Sequence, residues 1–435
     1  HAIIKGLVAN GYRVSCVQAQ AHHHLIDERE SLGVEHFWLE SAEFAHSLNN
    51  QAEANKLLQK IKPDLVLFSN CCPISNFAAK RVAIELNISY VVIEGFVGEY
   101  LADRFSDYIP ELGQHYQYSR RVISVSDENK QLLHRRFNLD GNHGQIIHYG
   151  KPAEYFQPIN LSNRDRLRQE LAIPNDAVIC FTAARMETVK GYQYQLEAIA
   201  QLKDTHTWQN LYFVWAGDGS LFPEIQQSIA DLGVSDRVKL LGARSDIEIC
   251  LDMADIFILT SQLEGMPHAI MEAMAKGLPV IASNVSGIPE ELGNTGKLLT
   301  DPTISVRDTI TELVDTLNIW VQDGQLRQEL GSACKEKALE LFTEERMIAE
   351  TLEVVKYGLL PLGDYVSPGL EIVAPDACFP NKIKGDTDAC GWPYLRREVP
   401  HNWYVDERQP TVGFVSRDEA HILYNTALKF KNKKA

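Results

Sequence analysis

The sequence lacks the features that mark several large classes of protein. No apolar segment approaches the roughly 18 consecutive residues that a membrane-spanning helix requires, and no signal-peptide pattern opens the chain. Lysine and arginine number 42 against 58 acidic residues, and the net charge of −16 argues against nucleic acid as a partner. The 435 residues, 45% apolar and 23% charged, are instead typical of a soluble protein with two or three domains.

Cysteine and histidine show no spacing that is typical of a metal site. Cys71 and Cys72 are adjacent, whereas Cys16 and Cys180 lie in apolar, strand-like segments. The histidines at 22–24 form a poor tetrahedral set, because consecutive side chains diverge. We therefore expect reduced thiols in a cytoplasmic protein, with no metal and no other cofactor.

The chain also lacks an initiator methionine and opens with a helix-like segment, so we expect a fragment whose first strand is missing. Strand-like and helix-like segments then alternate, with few hairpin signals. In the first part the predicted strands are YRVSCVQ, 64–69, 89–95, 121–126 and 145–150, and the predicted helices include 2–10, 75–86 and 127–137. This alternation predicts a parallel sheet that is covered by helices on both faces.

A second alternating block follows a polar segment at 151–166, which has the composition of a linker. Its predicted strands are 177–184, 210–217, 237–242 and 255–259, and its predicted helices are 191–202, 221–232, 245–253 and 268–276. The fold class is therefore α/β, with two doubly wound, Rossmann-like domains that face a cleft. Ligands of such sheets bind beyond the carboxyl ends of the strands.

The segment 257–283 combines a buried strand, a short loop, a helix and a second strand. Pro267 suits the first helical position, and Gly265 lets a ligand approach the backbone closely. The free amides and the dipole at the helix start predict a phosphate site. Glu264 at its mouth and Glu272 two turns into the helix would accept hydrogen bonds from sugar or ribose hydroxyls.

These signals have simpler alternatives. His268, Glu272 and Lys276 recur at helical spacing, as they would on a solvated helix face. Arg185 and Lys190 follow the strand 177–184 and could neutralise a diphosphate, yet either could be an ordinary surface cation. The segment AGDGS at 216–220 permits close backbone approach, although no full dinucleotide fingerprint accompanies it.

Together these segments resemble the retaining nucleotide-sugar glycosyltransferases of family 4, also called glycosyl transferases group 1, which have the GT-B fold. The resemblance rests on AARMETVKG, AGDGS, VKLLGARSD and EGMPHAIMEAMAKGLPVIAS followed by SGIPE, and it runs continuously over about 178–299. It implies transfer of a hexose-type sugar to an acceptor hydroxyl with retention of configuration. The implied mechanism is front-face attack that needs no metal, with the donor phosphate as base.

The resemblance also assigns residues. The implied catalytic residues are Arg185 and Lys190, at the donor diphosphate, and Glu264, at the donor sugar. The implied donor-binding residues are Gly217, Arg244, Gly265, Met266, Pro267 and Glu272, of which Glu272 binds the ribose. Two other functions remain open: a nucleotide-sugar epimerase and a non-catalytic nucleotide-sugar-binding module. Asp386 and Asp388 have the spacing of a metal-dependent glycosyltransferase, but they lie in an irregular tail.

The amino-terminal part departs from the family pattern. Glu94 and Gly95 stand where the family usually has a histidine, so they are the predicted acceptor-side residues. HYG at 148–150 replaces the commoner Pro-Asn-Gly, and the glycine-rich loop after the first strand is not in this sequence. The donor would be a UDP- or GDP-sugar, and the acceptor a glycan, a lipid-linked molecule or a small molecule.

A basic cluster in this part is either a solvated face or a patch for an acidic acceptor or a peripheral membrane contact. Its members are Arg120, Arg121, Lys130, Arg135 and Arg136.

We predict four parts of the chain. They are an acceptor-binding domain at 1–155, a donor-binding domain at 156–345, a crossover helix at 346–362 and an irregular C-terminal extension at 363–435. Within the extension, a helix predicted at 416–430 resembles the lead-in to a class I methyltransferase domain, which predicts a further domain. An ordinary terminal helix is the alternative.

Overall fold

The computed structural model of the chain describes residues 1–18, 25–38 and 48–360. The strands are β1 Ser15–Gln18, β2 Glu35–Trp38, β3 Leu65–Asn70, β4 Ser89–Glu94, β5 Arg121–Ser124, β6 Gly144–Ile146, β7 Val178–Ala183, β8 Leu211–Ala216, β9 Val238–Gly242, β10 Ile256–Leu259, β11 Val280–Ser283 and β12 Lys297–Leu299.

The helices before the second sheet are α1 Ala2–Ala9, α2 Ile26–Ser31, α3 Gln51–Ile61, α4 Phe77–Glu85, α5 Glu99–Arg104, α6 Ile109–Tyr118, α7 Asp127–Arg136 and α8 Leu161–Glu170. Those that follow are α9 Tyr192–Leu202, α10 Phe222–Asp231, α11 Ile247–Cys250, α12 His268–Lys276, α13 Ile288–Leu292, α14 Val306–Trp320, α15 Gly324–Leu341 and α16 Glu344–Gly358.

The larger sheet has six parallel strands in the order β12-β11-β10-β7-β8-β9. This is the order of a dinucleotide-binding Rossmann sheet, in which the direction of winding reverses between the first and fourth strands. Here the reversal lies between β7 and β10. Alternate residues of β7 enter different cores, with Ile179 and Phe181 on one face and Val178 and Cys180 on the other. Helices therefore cover both faces of the sheet, as predicted.

The amino-terminal half contains a parallel sheet in the order β3-β4-β5-β6 and a separate parallel pair, β1 and β2. Its core includes the buried strand residues Phe68, Tyr90, Val92 and Val122. The predicted fold class, α/β with doubly wound parallel sheets, is confirmed. The domain limits at 155, 345 and 362 stay predictions.

Within residues 48–360 the chain crosses between the two halves twice, and the two crossings touch. Lys151 and Thr343 form an isolated parallel bridge. The amide of Lys151 donates to the carbonyl of Phe342 at 2.8 Å, and the amide of Glu344 donates to the carbonyl of Lys151 at 2.9 Å. Beyond this bridge, α16 packs against β4 and α1 of the amino-terminal half. Its range overlaps the segment 346–362, whose role as a crossover helix stays a prediction.

Three local predictions differ from the structure. The predicted linker 151–166 contains the start of α8, because the side chain of Asn160 accepts hydrogen bonds from two amides and caps the helix. The strand predicted at 145–150 ends at Ile146, where pairing with β5 ends. The helix predicted at 245–253 is split into α11 and the 3₁₀ turn Leu251–Met253.

Several predictions concern residues outside the described ranges. They are the histidines at 22–24, the pair Asp386 and Asp388, and the extension 363–435 with its helix at 416–430. Within the described ranges, no helix is both long enough and apolar enough to cross a membrane.

Candidate functional site

The loops that follow β7 and β10 meet at the point where the winding of the larger sheet reverses. The amide of Gln262 donates to the carbonyl of Val189 at 2.8 Å. Gly191 has φ +74°, and a Cβ there would lie 1.8 Å from the carbonyl oxygen of Thr260. Only glycine suits this position, because any side chain would collide with the neighbouring backbone. The site is therefore built from two tightly packed loops.

Lys190 and Glu264, predicted separately from the sequence, form an ion pair across these loops. The Oε1 atom of Glu264 accepts from Lys190 Nζ at 2.6 Å and from Ser261 Oγ at 2.6 Å. The side chains are 17% and 8% exposed, respectively. Both contacts use Oε1, so Oε2 keeps its capacity to accept hydrogen bonds from a ligand. The pair is a fixed, largely dehydrated charge arrangement at the end of the sheet.

Arg185 lies in the loop after β7 and is exposed. Among the described residues, no hydrogen bond or ion pair is recorded for its guanidinium group. Such a cation can bind an anionic ligand without first breaking an internal ion pair.

The loop from Gly265 to Pro267 leads into α12. Pro267 was predicted at the first helical position, which is wrong, because its ψ of 115° is extended and α12 begins at His268. Pro267 is the cap residue instead. Met266 is 4% exposed and packs into the core, so its backbone is the part that is available to a ligand. The amides in the first turn of α12 have the polarity that suits an anion.

Glu272, one turn into α12, is paired with a residue that the sequence did not suggest. Its Oε1 atom accepts from Lys151 Nζ at 2.5 Å, with the two side chains 14% and 10% exposed. One turn further on, Lys276 pairs with buried Asp252 at 2.9 Å. Glu272 and Lys276 therefore do not lie on a solvated helix face, whereas His268, at the start of α12, is exposed. Lys151 lies 121 residues before Glu272, and no local pattern indicates a contact at that separation.

The glycine-rich end of β8 packs against the protein itself. Gly217 has φ +152°, and a Cβ there would lie 1.9 Å from the carbonyl oxygen of Ala184. A Cβ on Gly219 would lie 2.5 Å from the carbonyl oxygen of Met186. These glycines let the loop after β7 pack closely, and the donor-binding role of Gly217 stays a prediction. Arg244 forms an ion pair of 2.6 Å with Asp246.

On the amino-terminal side, Glu94 is fully buried at the end of β4. Its Oε1 atom accepts from Asn70 Nδ2 at 2.9 Å and from Tyr116 OH at 3.0 Å. Burial raises the pKa of Glu94, and burial lowers the pKa of nearby Lys80 to about 8. Glu94 thus orders the ends of β3 and β4 from inside the domain.

Gly95, the next residue, faces the donor-side loop directly. Its amide donates to the carbonyl of Asn70 at 3.1 Å. Its carbonyl oxygen would lie 2.7 Å from a Cβ placed on Gly265. The two halves of the chain therefore approach each other through glycine backbone at this point.

The basic cluster of the amino-terminal half is partly engaged in internal contacts. Arg120 is 8% exposed, and its guanidinium group lies 5.3 Å from the centre of the Tyr357 ring. Arg136 pairs with Asp103 at 2.5 Å. A peripheral membrane contact through this cluster stays a prediction.

A second contact between the halves was not predicted. Glu290 on α13 accepts from the amide of Asp127, at the start of α7, at 2.7 Å. Its other oxygen contacts His148 Nε2 at 2.7 Å. The amide of Gly287, just before α13, donates to the carbonyl of Gly265 at 3.0 Å. Glu290 therefore joins the start of one helix to the other half of the chain.

This contact predicts a pH dependence of stability. Burial alone would raise the pKa of Glu290, but His148 and the amides of Asp127 and Glu128 outweigh burial and hold the pKa below its usual range. A lowered pKa contributes stability above the unfolded value, about 4.3, and loses it as the pH falls through the folded value. Glu290→Gln should therefore show a shallower fall in Tm between about pH 5 and pH 3 than the wild-type chain.

Calorimetry over that range checks this expectation. Glu329→Gln is the matched control, because Glu329 is exposed and accepts a hydrogen bond from Gln325, one turn earlier on α15. If Glu290→Gln and the wild type lose Tm in parallel, the contact does not contribute in the way described.

Comparison with known proteins finds a family match within the chain. Residues 163–337 match the family model described as glycosyl transferases group 1, and we call them the group 1 segment. The group 1 segment contains Lys190, Glu264 and Glu272.

Two curated relatives are each 30% identical to the chain. The UDP-Gal:alpha-D-GlcNAc-diphosphoundecaprenol alpha-1,3-galactosyltransferase of Escherichia coli aligns over 168 residues, 38% of this chain and 43% of the relative. The N-acetyl-alpha-D-glucosaminyl L-malate synthase of Bacillus anthracis aligns over 197 residues, 45% of this chain and 49% of the relative. The chain spans about half the length of these relatives.

The similarity to solved structures extends over a larger part of the chain than the group 1 segment. HepE of Anabaena, in complex with UDP and glucose, superimposes with a TM-score of 0.68 at 20% identity, over 82% of this chain and 95% of HepE. A glycosyltransferase from Rickettsia africae gives 0.68 at 21% identity, over 83% and 94% of the two chains. The fold is that of the GT-B glycosyltransferases.

Proposed function

We propose that the protein transfers a hexose-type sugar from a nucleotide-sugar donor to an acceptor hydroxyl with retention of anomeric configuration. The observation that carries this proposal is the Lys190–Glu264 pair. It lies where the winding of the six-stranded sheet reverses, between β7 and β10. Beside it lie an exposed arginine, Arg185, and the start of α12. Together they offer cations and amides for a diphosphate, and a carboxylate for sugar hydroxyls.

In this proposal Arg185, Lys190 and the first amides of α12 hold the donor diphosphate. They stabilise the negative charge that develops on it as the glycosidic bond breaks. Glu264 accepts hydrogen bonds from the donor sugar through Oε2, and Glu272 accepts them from the ribose. The acceptor hydroxyl would attack from the face of the leaving group, with a donor phosphate oxygen taking its proton.

The identities of donor and acceptor are proposed from the comparisons. HepE was solved with UDP and glucose, and the relative from Escherichia coli is named for a UDP-sugar, which favours a UDP-sugar over a GDP-sugar here. The names of the two curated relatives include a lipid-linked acceptor and L-malate. We propose a lipid-linked or small-molecule acceptor that meets Gly95 at the amino-terminal side, and a cytoplasmic location.

The test begins with a screen of UDP- and GDP-sugars for a rise in Tm. The stabilising donor is then incubated with and without candidate acceptors. Acceptor-dependent release of the nucleotide, with the α-configured sugar in the product when the donor is α-linked, supports retaining transfer. A free nucleotide sugar that is epimerised without acceptor would support an epimerase instead, and binding without turnover would support a binding module.

The cationic arrangement predicts that transfer needs no metal ion. Among the described residues, no group of His, Cys, Asp and Glu is placed to hold one. The charge of the diphosphate would instead be met by Arg185, Lys190 and helix amides. Activity should stay within about twofold of its starting value in excess EDTA, because in this proposal no metal ion lowers the activation barrier of transfer. Loss of activity that Mn²⁺ or Mg²⁺ restores would show that this charge argument is wrong.

Lys151 should act as a positioning residue for Glu272, the carboxylate that we propose binds the donor ribose. Its ammonium group donates to Oε1 of Glu272, and Tyr155 also hydrogen-bonds this carboxylate, so Lys151 helps to fix the orientation in which Glu272 would meet the ribose. Lys151→Gln should weaken binding of the stabilising nucleoside diphosphate about tenfold, the value of one charged hydrogen bond. Binding of the 2′-deoxy analogue should change much less, because that ligand lacks the hydroxyl in question.

Titration calorimetry with both ligands measures the difference. Lys356→Gln is the control, since Lys356 is exposed on α16 and pairs only with Glu353 within the described residues. An equal loss of affinity for the ribose and deoxyribose ligands would mean that Lys151 affects the fold of the site and not the ribose contact.

A further inference from the structure

Two adjacent thiols converge at the carboxyl end of β3, apart from the donor site. Cys71 Sγ lies 3.1 Å from the hydroxyl oxygen of Ser75, and Cys72 Sγ lies 3.5 Å from the same atom. Consecutive side chains of a strand point to opposite faces. Here β3 ends at Asn70, and the turn that follows brings both sulfur atoms to one hydroxyl group.

The two sulfur atoms have different surroundings. Cys71 is exposed, whereas Cys72 is 6% exposed and packs in the core of the amino-terminal half with Ile74 and Phe77. The hydroxyl of Ser75 accepts from the amide of Cys72 at 3.2 Å, which leaves its proton for a sulfur atom. An accessible thiol therefore lies beside a second thiol that solvent does not reach.

The same contacts favour the thiolate of Cys71. A hydrogen bond from the thiol of Cys72, aided by the hydroxyl of Ser75, lowers the pKa of Cys71, although burial opposes the shift. The pKa of Cys72 is raised by that hydrogen bond and by burial. Cys71 is thus the member of the pair that attacks, because the thiolate is the nucleophile. Cys72 keeps its proton until Cys71 has reacted.

We propose that Cys71 and Cys72 form a redox-active dithiol site that reacts with low-molecular-weight disulfides. In the first step the Cys71 thiolate attacks one sulfur atom of the disulfide, forms a mixed disulfide and releases one thiolate. In the second step Cys72 loses its proton, attacks Cys71 Sγ and releases the second thiol. The two cysteines are oxidised by two electrons, and the small disulfide is reduced to two thiols.

The product would be reduced again easily. Consecutive Cα atoms are about 3.8 Å apart across a trans peptide. Unstrained disulfides join Cα atoms about 4.4–6.8 Å apart. A bond between adjacent cysteines is therefore strained, and strained disulfides have higher reduction potentials and are labile. The site is suited to reversible oxidation and not to permanent cross-linking.

The position of the pair places it next to the acceptor side of the cleft. Cys71 directly follows Asn70, whose amide group holds Glu94 and whose carbonyl accepts from Gly95. A change in the backbone conformation at 71–72 therefore shifts Asn70, whose carbonyl holds Gly95 opposite Gly265. The thiol chemistry itself does not depend on the proposed transferase function.

Mass spectrometry after treatment with oxidised glutathione tests the site in the full chain. The wild type should lose two hydrogen atoms within the peptide that contains Cys71 and Cys72. Cys72→Ala should trap glutathione on Cys71, and Cys71→Ser should show neither product. Cys16→Ser, which removes a partly buried thiol elsewhere, should behave as the wild type. Dithiothreitol should reverse both modifications.

A second measurement does not depend on how the variants fold. In the wild type, the rate of iodoacetamide alkylation at Cys71 should reach half its maximum at a pH well below the ordinary thiol value of about 8.5. A half-maximum near 8.5 would overturn the assignment of Cys71 as the attacking thiolate. Stable glutathione on Cys71 in the wild type, in the same amount as in Cys72→Ala, would overturn the role of Cys72.

Discussion

Replacing Glu264 by alanine should lower the rate of sugar transfer several hundredfold. A preorganised group that meets charge or hydroxyls in the transition state is typically worth about 3–4 kcal/mol. Lys190→Ala should cost about as much, because Lys190 Nζ and Glu264 Oε1 are 2.6 Å apart. Each substitution removes the contact with the donor that we propose for that residue, and it also breaks the ion pair in a largely buried site. The double variant should therefore be little slower than either single one.

Initial rates with saturating donor, and donor affinity measured separately, divide this effect between kcat and binding. Glu170→Ala is the matched control, since it also breaks an ion pair, with Arg166, but on the exposed surface of α8. Transfer within a few-fold of the wild type in Glu264→Ala would rule out its assigned role. A fully additive double variant would show that the two groups act independently.

Replacing Arg168 by methionine should lower the free energy of unfolding by about 3–5 kcal/mol, the usual cost of breaking a buried ion pair. Arg168 on α8 has no exposed surface, and it pairs with Asp255 at 2.7 Å. Its guanidinium group also donates to the carbonyls of Ala177 at 2.8 Å and Met253 at 2.9 Å. Methionine fills similar space but removes these donors, although Asp255 keeps its contact with Arg164 at 2.6 Å.

Urea denaturation measures this difference. Arg166→Met lies on the same helix, where Arg166 is half exposed and pairs with Glu170 at 2.9 Å, and it should cost less than about 1 kcal/mol. A loss in Arg168→Met that is no larger than in Arg166→Met would contradict the buried network. The two variants share helix and chemistry, so burial is the main difference between them.

The sequence predicted best the elements that bury continuous apolar segments. The strands β7, β8 and β10 are almost wholly buried, and their apolar runs identify them within one or two residues. The predicted helix His268–Lys276 matches α12 at both ends, because Gly277 with φ +80° terminates it. Strand β2 was not predicted. Its residues, such as His36 and Trp38, form a short, half-exposed segment without a strong pattern.

The site was predicted only in part, for a physical reason. Lys190 and Glu264 were found because each lies beside a strand end, and parallel strands bring such ends together. Lys151 and Glu290 were missed, because their partners lie 121 and 142 residues away in the chain. Such pairs depend on how the two halves are placed against each other, which local periodicity does not encode. The donor-binding roles of Lys190, Glu264 and Lys151 stay proposals.

The bridge between Lys151 and Thr343 has a mechanical consequence. Among the residues that the structure describes, both covalent connections between the halves pass through this hydrogen-bonded bridge, so a rigid rotation of the halves pivots there. Displacement grows with distance from a pivot, so Lys151 and the carboxylate it holds move least. Contacts made by separate segments, such as Glu290 with Asp127, must break as the halves swing apart. Under the proposed function, this motion would open the cleft to an acceptor while Glu272 keeps its contact with the donor ribose.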